Sequence, residues 1–368
     1  MNLRSAAAIA ALCAAIASLH AQQPAASSQP SPQTTATITV NAQLVNLPVI
    51  VRDKNGAIIQ NLTKDDFALR VDGQPQSIRY FDKDNDLPLT LGLLVDTSGS
   101  VRSALDDERL ASESFLDQMM TAPAGRTPDQ AFLIEFAHEA DLLQDLTASR
   151  PKLRTALDQV GAENRDNQDR DDQNRNNAQS GNGGYGHHRG GFHGGGGTTL
   201  YDAIFLASTQ LMQKQHGRKA LVLLTDGDDR GSVETLASAI ASAQRAETVV
   251  YAIYFKGEQH GYGGHGGGNG GRGGYPGGGQ RGGENHVDGK KVLAQITGET
   301  GGRMFEESDK QNFASIYTQI AEELRSQYRL GYTPDAALAA EGFHRIDLTL
   351  AKEKKLIVQT RDGYYGGQ

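Results

Sequence analysis

One cysteine, Cys13, occurs in 368 residues. It lies in the first segment, so a chain that sheds that segment can form no disulfide. Beyond that segment no run is long and apolar enough to cross a membrane. An excess of basic residues is also missing: 36 lysines and arginines face 44 aspartates and glutamates, a formal charge of −8. That balance argues against a general nucleic-acid binder and against a basic membrane-surface protein. Neither the G-x-S-x-G of a nucleophile elbow nor the G-K-[ST] of a phosphate-binding loop occurs. Hydrophobic content is 38%. Two glycine-rich blocks dilute it, and the remainder can still build a core. The length fits one large domain with a smaller companion.

The first 21 residues, "MNLRSAAAIAALCAAIASLHA", have the order of a secretory signal peptide. Arg4 supplies a positive start, Ala6 to Ile16 an apolar stretch, and Ala21 a small residue before "QQP". Leu19 is larger than that cleavage pattern prefers. Leu12 precedes Cys13 where a lipoprotein signal has a small residue, which argues against lipidation. The expectation is an exported protein, whether periplasmic, on the cell surface or secreted. Residues 22–35, rich in Gln, Pro, Ser and Thr, read as a flexible linker.

Residues 36–86 carry strand-like runs broken by the turn signals "DKNG" and "DG", and predict a small β domain. From residue 87 strands alternate with helices. "LTLGLLV" shows no polar alternation and "KALVLLTDG" holds a second continuous apolar run that ends on an aspartate, as strands covered on both faces do. Helices are predicted at "SALDDERLASESFLDQMM", "SRPKLRTALDQV", "TTLYDAIFLASTQLMQK", "SVETLASAIASAQRA" and "DGKKVLAQITGETGG". A last one spans 309–328, where Phe313, Ile316, Ile320 and Leu324 have core spacing and a serine or aspartate could cap the start. Repeated strand–helix units over 87–326 imply an α/β fold, a doubly wound, mostly parallel sheet. The strands of 327–368 are expected to complete the N-terminal β domain. Two blocks, 162–197 and 257–285, are too polar and glycine-rich to bury apolar surface and read as disordered insertions.

The chemistry sits where apolar runs end. "LLVDTSGSV" closes one strand on Asp96, with Ser98 and Ser100 spaced two apart. "LLTDGDD" closes another on Asp226, and "GGGGTTLYDAI" sets Thr198 just before a helix. In open α/β sheets, sites form outside the carboxyl ends of strands. Asp96, Ser98, Ser100, Thr198 and Asp226 are all hard oxygen donors, which suits a small divalent cation such as Mg²⁺. With only two carboxylates the ion stays electrophilic, open to an Asp or Glu from a partner.

These residues resemble the motifs of von Willebrand factor type A domains: "DTSGS" is similar to their D-x-S-x-S, "GGTT" to their threonine loop, and "LLTDG" to their second aspartate motif. The opening "LVNLPVIVRDKNGAIIQNLTKDDFALRVDGQPQSI" and the closing "YRLGYTP", "FHRIDLTL" and "RDGYY" resemble the bacterial VWFA-related domain family. The resemblance implies a Rossmann-like sheet flanked by helices. It implies that Asp96, Ser98, Ser100, Thr198 and Asp226 form a metal-ion-dependent adhesion site for Mg²⁺, Mn²⁺ or Ca²⁺. It also implies binding of a protein ligand rather than catalysis, and names no ligand or oligomeric state.

Other readings are weaker. Asp228 and Asp229 read as a solvated turn that adds negative potential. Asp82, Asp84 and Asp86 lack the glycine of a calcium loop, with Leu87 in its place. His187, His188, His193, His260, His265 and His286 lie in or beside the glycine-rich blocks, where flexible placement would make Zn²⁺ or Ni²⁺ binding weak. "VDTSGS" has the flavour of an aspartic protease loop, but that hydrolase needs two matching loops on an all-β fold. Arginine–glycine pieces at Arg189, Arg272 and Arg281 could bind RNA, against which export and net acidity both argue. A structural envelope protein on the same scaffold, needing no metal, is the alternative function.

Overall fold

The computed structural model describes residues 44–83, 87–101, 104–120, 127–162, 197–256, 288–308, 311–335, 337–352 and 355–367. The expected signal peptide with Cys13, the linker, nearly all of both glycine-rich blocks with their six histidines and three arginines, and Asp84 and Asp86 lie outside the described residues. The chain runs β1 (Val45–Arg52), β2 (Phe67–Val71), β3 (Gln74–Gln76), β4 (Tyr80–Asp82), β5 (Leu89–Asp96), α1 (Leu105–Met119), β6 (Gln130–Phe136), β7 (Ala140–Thr147), α2 (Arg150–Gln159), α3 (Leu200–Leu206), β8 (Arg218–Thr225), α4 (Leu236–Arg245), β9 (Val249–Tyr254), α5 (Gly289–Thr300), β10 (Met304–Glu306), α6 (Phe313–Arg325), β11 (Tyr328–Tyr332), β12 (Gly342–Leu350), β13 (Ile357–Gln359) and β14 (Gly363–Gly366).

Among the described residues six strands form the central sheet, in the order β10-β9-β8-β5-β6-β7. Every pairing is parallel except the β6–β7 edge. The α/β expectation is met. Each strand's two sets of alternate side chains enter different cores. Leu91, Leu93 and Val95 of β5 pack with Phe115 of α1, Leu153 of α2 and Ile316 of α6. Leu94 packs with Ile204 of α3, Ile240 of α4 and Leu293 of α5. All eight residues of β5 are buried, which is why its sequence shows no polar alternation. Gly92 is required there: a Cβ would lie 2.3 Å from Phe132 Cζ and 2.5 Å from Leu221 Cδ2.

Local chemistry sets the helix ends. Ser149 and a proline in the first turn start α2, since proline's missing N–H is not needed there. Thr235 caps α4, accepting from the Ser238 N–H at 3.1 Å. Gly301, at φ 89°, ends α5 in the left-handed conformation that glycine adopts without a Cβ penalty. The cap of α6 differs from expectation. Asn312, not a serine or aspartate, accepts the Ser315 N–H at 3.0 Å, because the helix starts at Phe313, later than expected, with Ser308 in an isolated bridge to Gln311 before it.

Strands from the two ends of the chain do pair. β1 lies between β11 and β13 in one antiparallel sheet, and β2 joins β12 in another. Their shared core includes Leu47, Val71, Tyr328, Leu330 and Tyr332. The "DG" signal is the β2–β3 turn, with Asp72 at φ 49° and Gly73 at φ 76°. Asp72 also accepts from His344 Nδ1 of β12 at 2.8 Å, and His344 Nε2 lies 3.2 Å from the Ala340 carbonyl. A buried ion cluster ties this part to the helices: Glu323 of α6 meets Arg52 of β1 at 2.6 Å and Arg303 at 2.9 Å.

Two outcomes follow. Gly92→Ala should destabilise the fold by about 1–3 kcal/mol through overpacking, read as a lower urea midpoint with unchanged slope. Burial works against the His344 charge, but Asp72 and the Ala340 carbonyl outweigh it and hold the imidazole above its usual 6.5. The His344 hydrogen bond holds the Asp72 carboxyl below its usual 3.8. The histidine's contribution is therefore full below about 6.5 and lost as pH rises through its raised value, while the aspartate's is lost in acid. His344→Gln should lower stability by roughly 1 kcal/mol near pH 5.5, allowing for screening at the exposed Asp72. The difference from the parent protein should shrink by pH 9 in thermal melts.

Candidate functional site

The central sheet reverses direction between β5 and β8: the chain builds outward through β6 and β7, then returns to add β8, β9 and β10 on the other side. Loops leaving the carboxyl ends of β5 and β8 diverge there, and such a switch point is where open sheets form sites. Asp96 ends β5, and Asp226 directly follows β8. Pairing of Val95 with Leu224 sets Asp96 beside Thr225, one residue short of Asp226.

Asp96 is fully buried. Its Oδ2 accepts the Thr225 hydroxyl at 2.6 Å, and its Oδ1 accepts the Ser98 N–H at 2.9 Å. Burial pushes its carboxyl up to about 7; the bonds from Thr225 and Ser98 pull it back, and the charge on Asp226 adds to the rise. The hydroxyls of Ser98 and Ser100, both half-buried, lie 3.2 Å apart. The two-apart spacing thus brings both oxygens to one side of the turn around Gly99.

Thr198 is buried on the adjacent loop. The next residue donates its N–H to the Ala137 carbonyl at 2.9 Å, just past β6. The Thr198 carbonyl accepts the N–H groups of Arg230 and Gly231 at 3.0 and 3.1 Å. Those bonds fasten the threonine loop to the loop that carries Asp226. Gly227, at φ 78°, lets that loop lie against the start of α5, where a Cβ would stand 2.4 Å from the Gly289 carbonyl oxygen.

Three features lay outside the sequence reading. Thr225 is the direct partner of Asp96 and also accepts the Gly227 N–H at 3.0 Å; its only signal was a hydroxyl at the last position of an apolar strand. Glu108 of α1 is buried and bonded to Ser112 at 3.1 Å. Burial pushes it up to about 8, and the Asp96 charge contributes to the rise. Asp229 departs from the solvated-turn expectation. It is half-buried, accepts the Tyr201 N–H at the start of α3 (3.2 Å) and takes the Ser232 hydroxyl at 2.6 Å. Asp228, also half-buried, is paired with the exposed Arg230 at 3.2 Å. Asp82, from the suspected calcium loop, is instead bound to Arg329 at 2.9 Å.

Among the described residues no three His, Cys, Asp or Glu side chains gather into a metal-holding group. The set at the switch point is of another kind, two carboxylates among hydroxyls. Its fit to a divalent cation rests on charge: Asp96 is buried, has no cationic partner among the described residues and feels Asp226 as a second negative charge. A cation between them would offset that repulsion.

Residues 91–228 match the sequence model of the von Willebrand factor type A domain. No curated protein matches the chain. Among solved structures it is similar to an aerotolerance-related membrane protein from Bacteroides fragilis, at 15% identity, with 64% of this chain and 98% of that one covered and a TM-score of 0.40. A von Willebrand factor type A protein from Catenulispora acidiphila matches at 12% identity, 89% and 75% coverage and a TM-score of 0.40. Proximal thread matrix protein 1 from the mussel byssus, whose MIDAS motif is occupied by zinc, matches at 13% identity, 69% and 49% coverage and a TM-score of 0.41.

Replacing Thr225 by valine should leave Asp96 and the Gly227 N–H each short of a buried partner. The expected loss is about 2 kcal/mol in chemical denaturation, with most of it restored in Thr225→Ser.

Proposed function

The chain carries a von Willebrand factor type A domain, matched over residues 91–228, and from that premise we propose an exported, metal-dependent protein-binding module without enzymatic activity. Type A domains are protein-interaction modules in general; the finer reading rests on the site. The observation that carries it is the buried Asp96 at the β5–β8 switch point, beside a serine pair 3.2 Å apart. Asp96, Ser98, Ser100, Thr198 and Asp226 are assigned as the residues that hold Mg²⁺, with Mn²⁺ or Ca²⁺ as substitutes. We assign residues 87–326 to this module, and 36–86 with 327–368 to a small β domain.

When bound, the cation supplies an electrophilic point for an Asp or Glu of a protein ligand. The chain's own residues do the rest. Thr225 and the Ser98 N–H orient the Asp96 carboxylate. The carbonyl of Thr198, bonded to Arg230 and Gly231, keeps the second and third loops together. No helix among the described residues is long and apolar enough to cross a membrane. Export rests on the first 21 residues, and the compartment reached is periplasm, cell surface or medium.

Isothermal titration of Mg²⁺ and Mn²⁺ into chelator-treated protein tests this reading. Saturable binding is expected, and it should vanish in Asp96→Ala while the fold, read by circular dichroism, stays intact. Equal binding by the variant, or none by the parent protein with or without an acidic protein ligand, would overturn the assignment and leave the metal-free envelope scaffold.

A further inference from the structure

At the opposite end of the central sheet, where the amino ends of β5 and β8 meet β1 and β11, the structure holds a pocket of about 210 Å³. Pro48, Leu87 and Val249 are apolar residues of its lining, and Arg218, Lys219 and Arg329 line it as well. Two tight turns form its rim. Gly217 has φ 97°, and a Cβ there would meet the Pro88 carbonyl oxygen at 2.5 Å. Glu247 holds φ 51°, a conformation that side-chain-bearing residues adopt only when the surroundings impose it. The backbone at these two positions is therefore fixed by its surroundings.

The cations in this pocket are not all neutralised. Arg329 is paired with Asp82, and Glu247 lies 3.5 Å from the buried Arg361. Arg218 and Lys219 form no salt bridge among the described residues. Arg218 gives Nε–H to the Leu87 carbonyl and an Nη1 hydrogen to the Leu324 carbonyl, both at 2.9 Å. That leaves three of the five guanidinium N–H groups. Among the described residues Lys219 reaches only the Gln215 carbonyl, at 3.3 Å. Both are partly buried, and burial holds both below their usual range. Arg325 and Arg329 add repulsion at Arg218, which Asp129 opposes; Arg361 adds repulsion at Lys219, which Glu247 opposes. A chain of net charge −8 thus keeps two half-buried positive charges in a pocket that Pro48, Leu87 and Val249 also line. Asp129 and Glu247 act on these cations only at a distance, so neither cation has a carboxylate in direct contact among the described residues, and a partly desolvated charge gains from a direct partner.

We propose that this pocket binds a small organic anion, its carboxylate or phosphate on Arg218 and Lys219 and its apolar body against Pro48, Leu87 and Val249. The site is separate from the switch point and does not depend on the metal reading. Two charge-assisted bonds and a short apolar body fit weak to moderate affinity.

The test is titration of the full chain, in chelator, with hexanoate, hexyl phosphate, inorganic phosphate and hexanol. Saturable binding of hexanoate or hexyl phosphate is expected, with hexanol at least about tenfold weaker. The tighter of the two acids identifies the headgroup, and inorganic phosphate reports the charge alone. Lys219→Met, which keeps the stem, should weaken the anion about tenfold or more, while Arg154→Met on the far surface should not. Asp96→Ala should bind the anion like the parent protein, which separates this result from any failure at the metal site. Equal affinity for hexanol, no saturable anion binding, or an unchanged affinity in Lys219→Met would each overturn the proposal.

Discussion

A carboxylate with no solvent-exposed surface ends the central strand, and much of the architecture can be understood from what that requires. Asp96 cannot be hydrated, so the protein must supply its hydrogen bonds. Thr225 does so from the neighbouring parallel strand, and Ser98 does so from the turn that follows. The Thr225 donor depends on the β5–β8 pairing, whose in-register contacts run from Leu89 with Arg218 to Val95 with Leu224. A slip of one residue would turn Thr225 to the other face of the sheet. Gly92 guards that pairing, because it admits Phe132 and Leu221 from the two flanking strands.

The ends of apolar runs were the legible part. A parallel strand covered on both faces has a continuous apolar run, so the charge that ends the run at the loop stands out. That is how Asp96 and Asp226 could be located, and Ser98, Ser100 and Thr198 followed from their loops. Thr225 could not be found the same way. Threonine is an ordinary strand residue, and its partner is 129 positions away. Glu108 was hidden for a different reason: an acid in a helix's first turn already has an explanation in the helix dipole, although here it is buried. Asp229 serves α3 across 28 residues, and local composition carries no trace of such a contact. Serine, aspartate and asparagine lie within five residues before α6, and composition alone does not choose among them; Asn312 is the one seen to cap it.

The terminal strands show the limit of periodicity most plainly. Alternation identified β1 and β11 as strands, but nothing local says that Val45 should face Tyr332. That choice is made by a shared core and by buried charge. Arg52 of β1 meets Glu323 of α6, and Arg303 meets the same carboxylate. A cluster of this kind adds little net stability, yet breaking it leaves an uncompensated charge. It therefore favours one seating of the terminal strands against α6 over alternatives that an apolar contact would tolerate.

That seating joins the two ends of the molecule's chemistry. α6 runs directly into β11, and β11 contributes Tyr328 and Arg329 to the basic pocket. At its other end the helix places Tyr317 within 2.6 Å of Ser112, whose hydroxyl donates to Glu108. Glu108 in turn feels the charge on Asp96. The carboxyl end of the sheet gathers negative charge around hydroxyls, and the amino end gathers positive charge in a pocket that apolar residues also line. One sheet with opposite demands at its two ends needs its helices held in a single register, and the buried polar contacts along α6 supply that constraint.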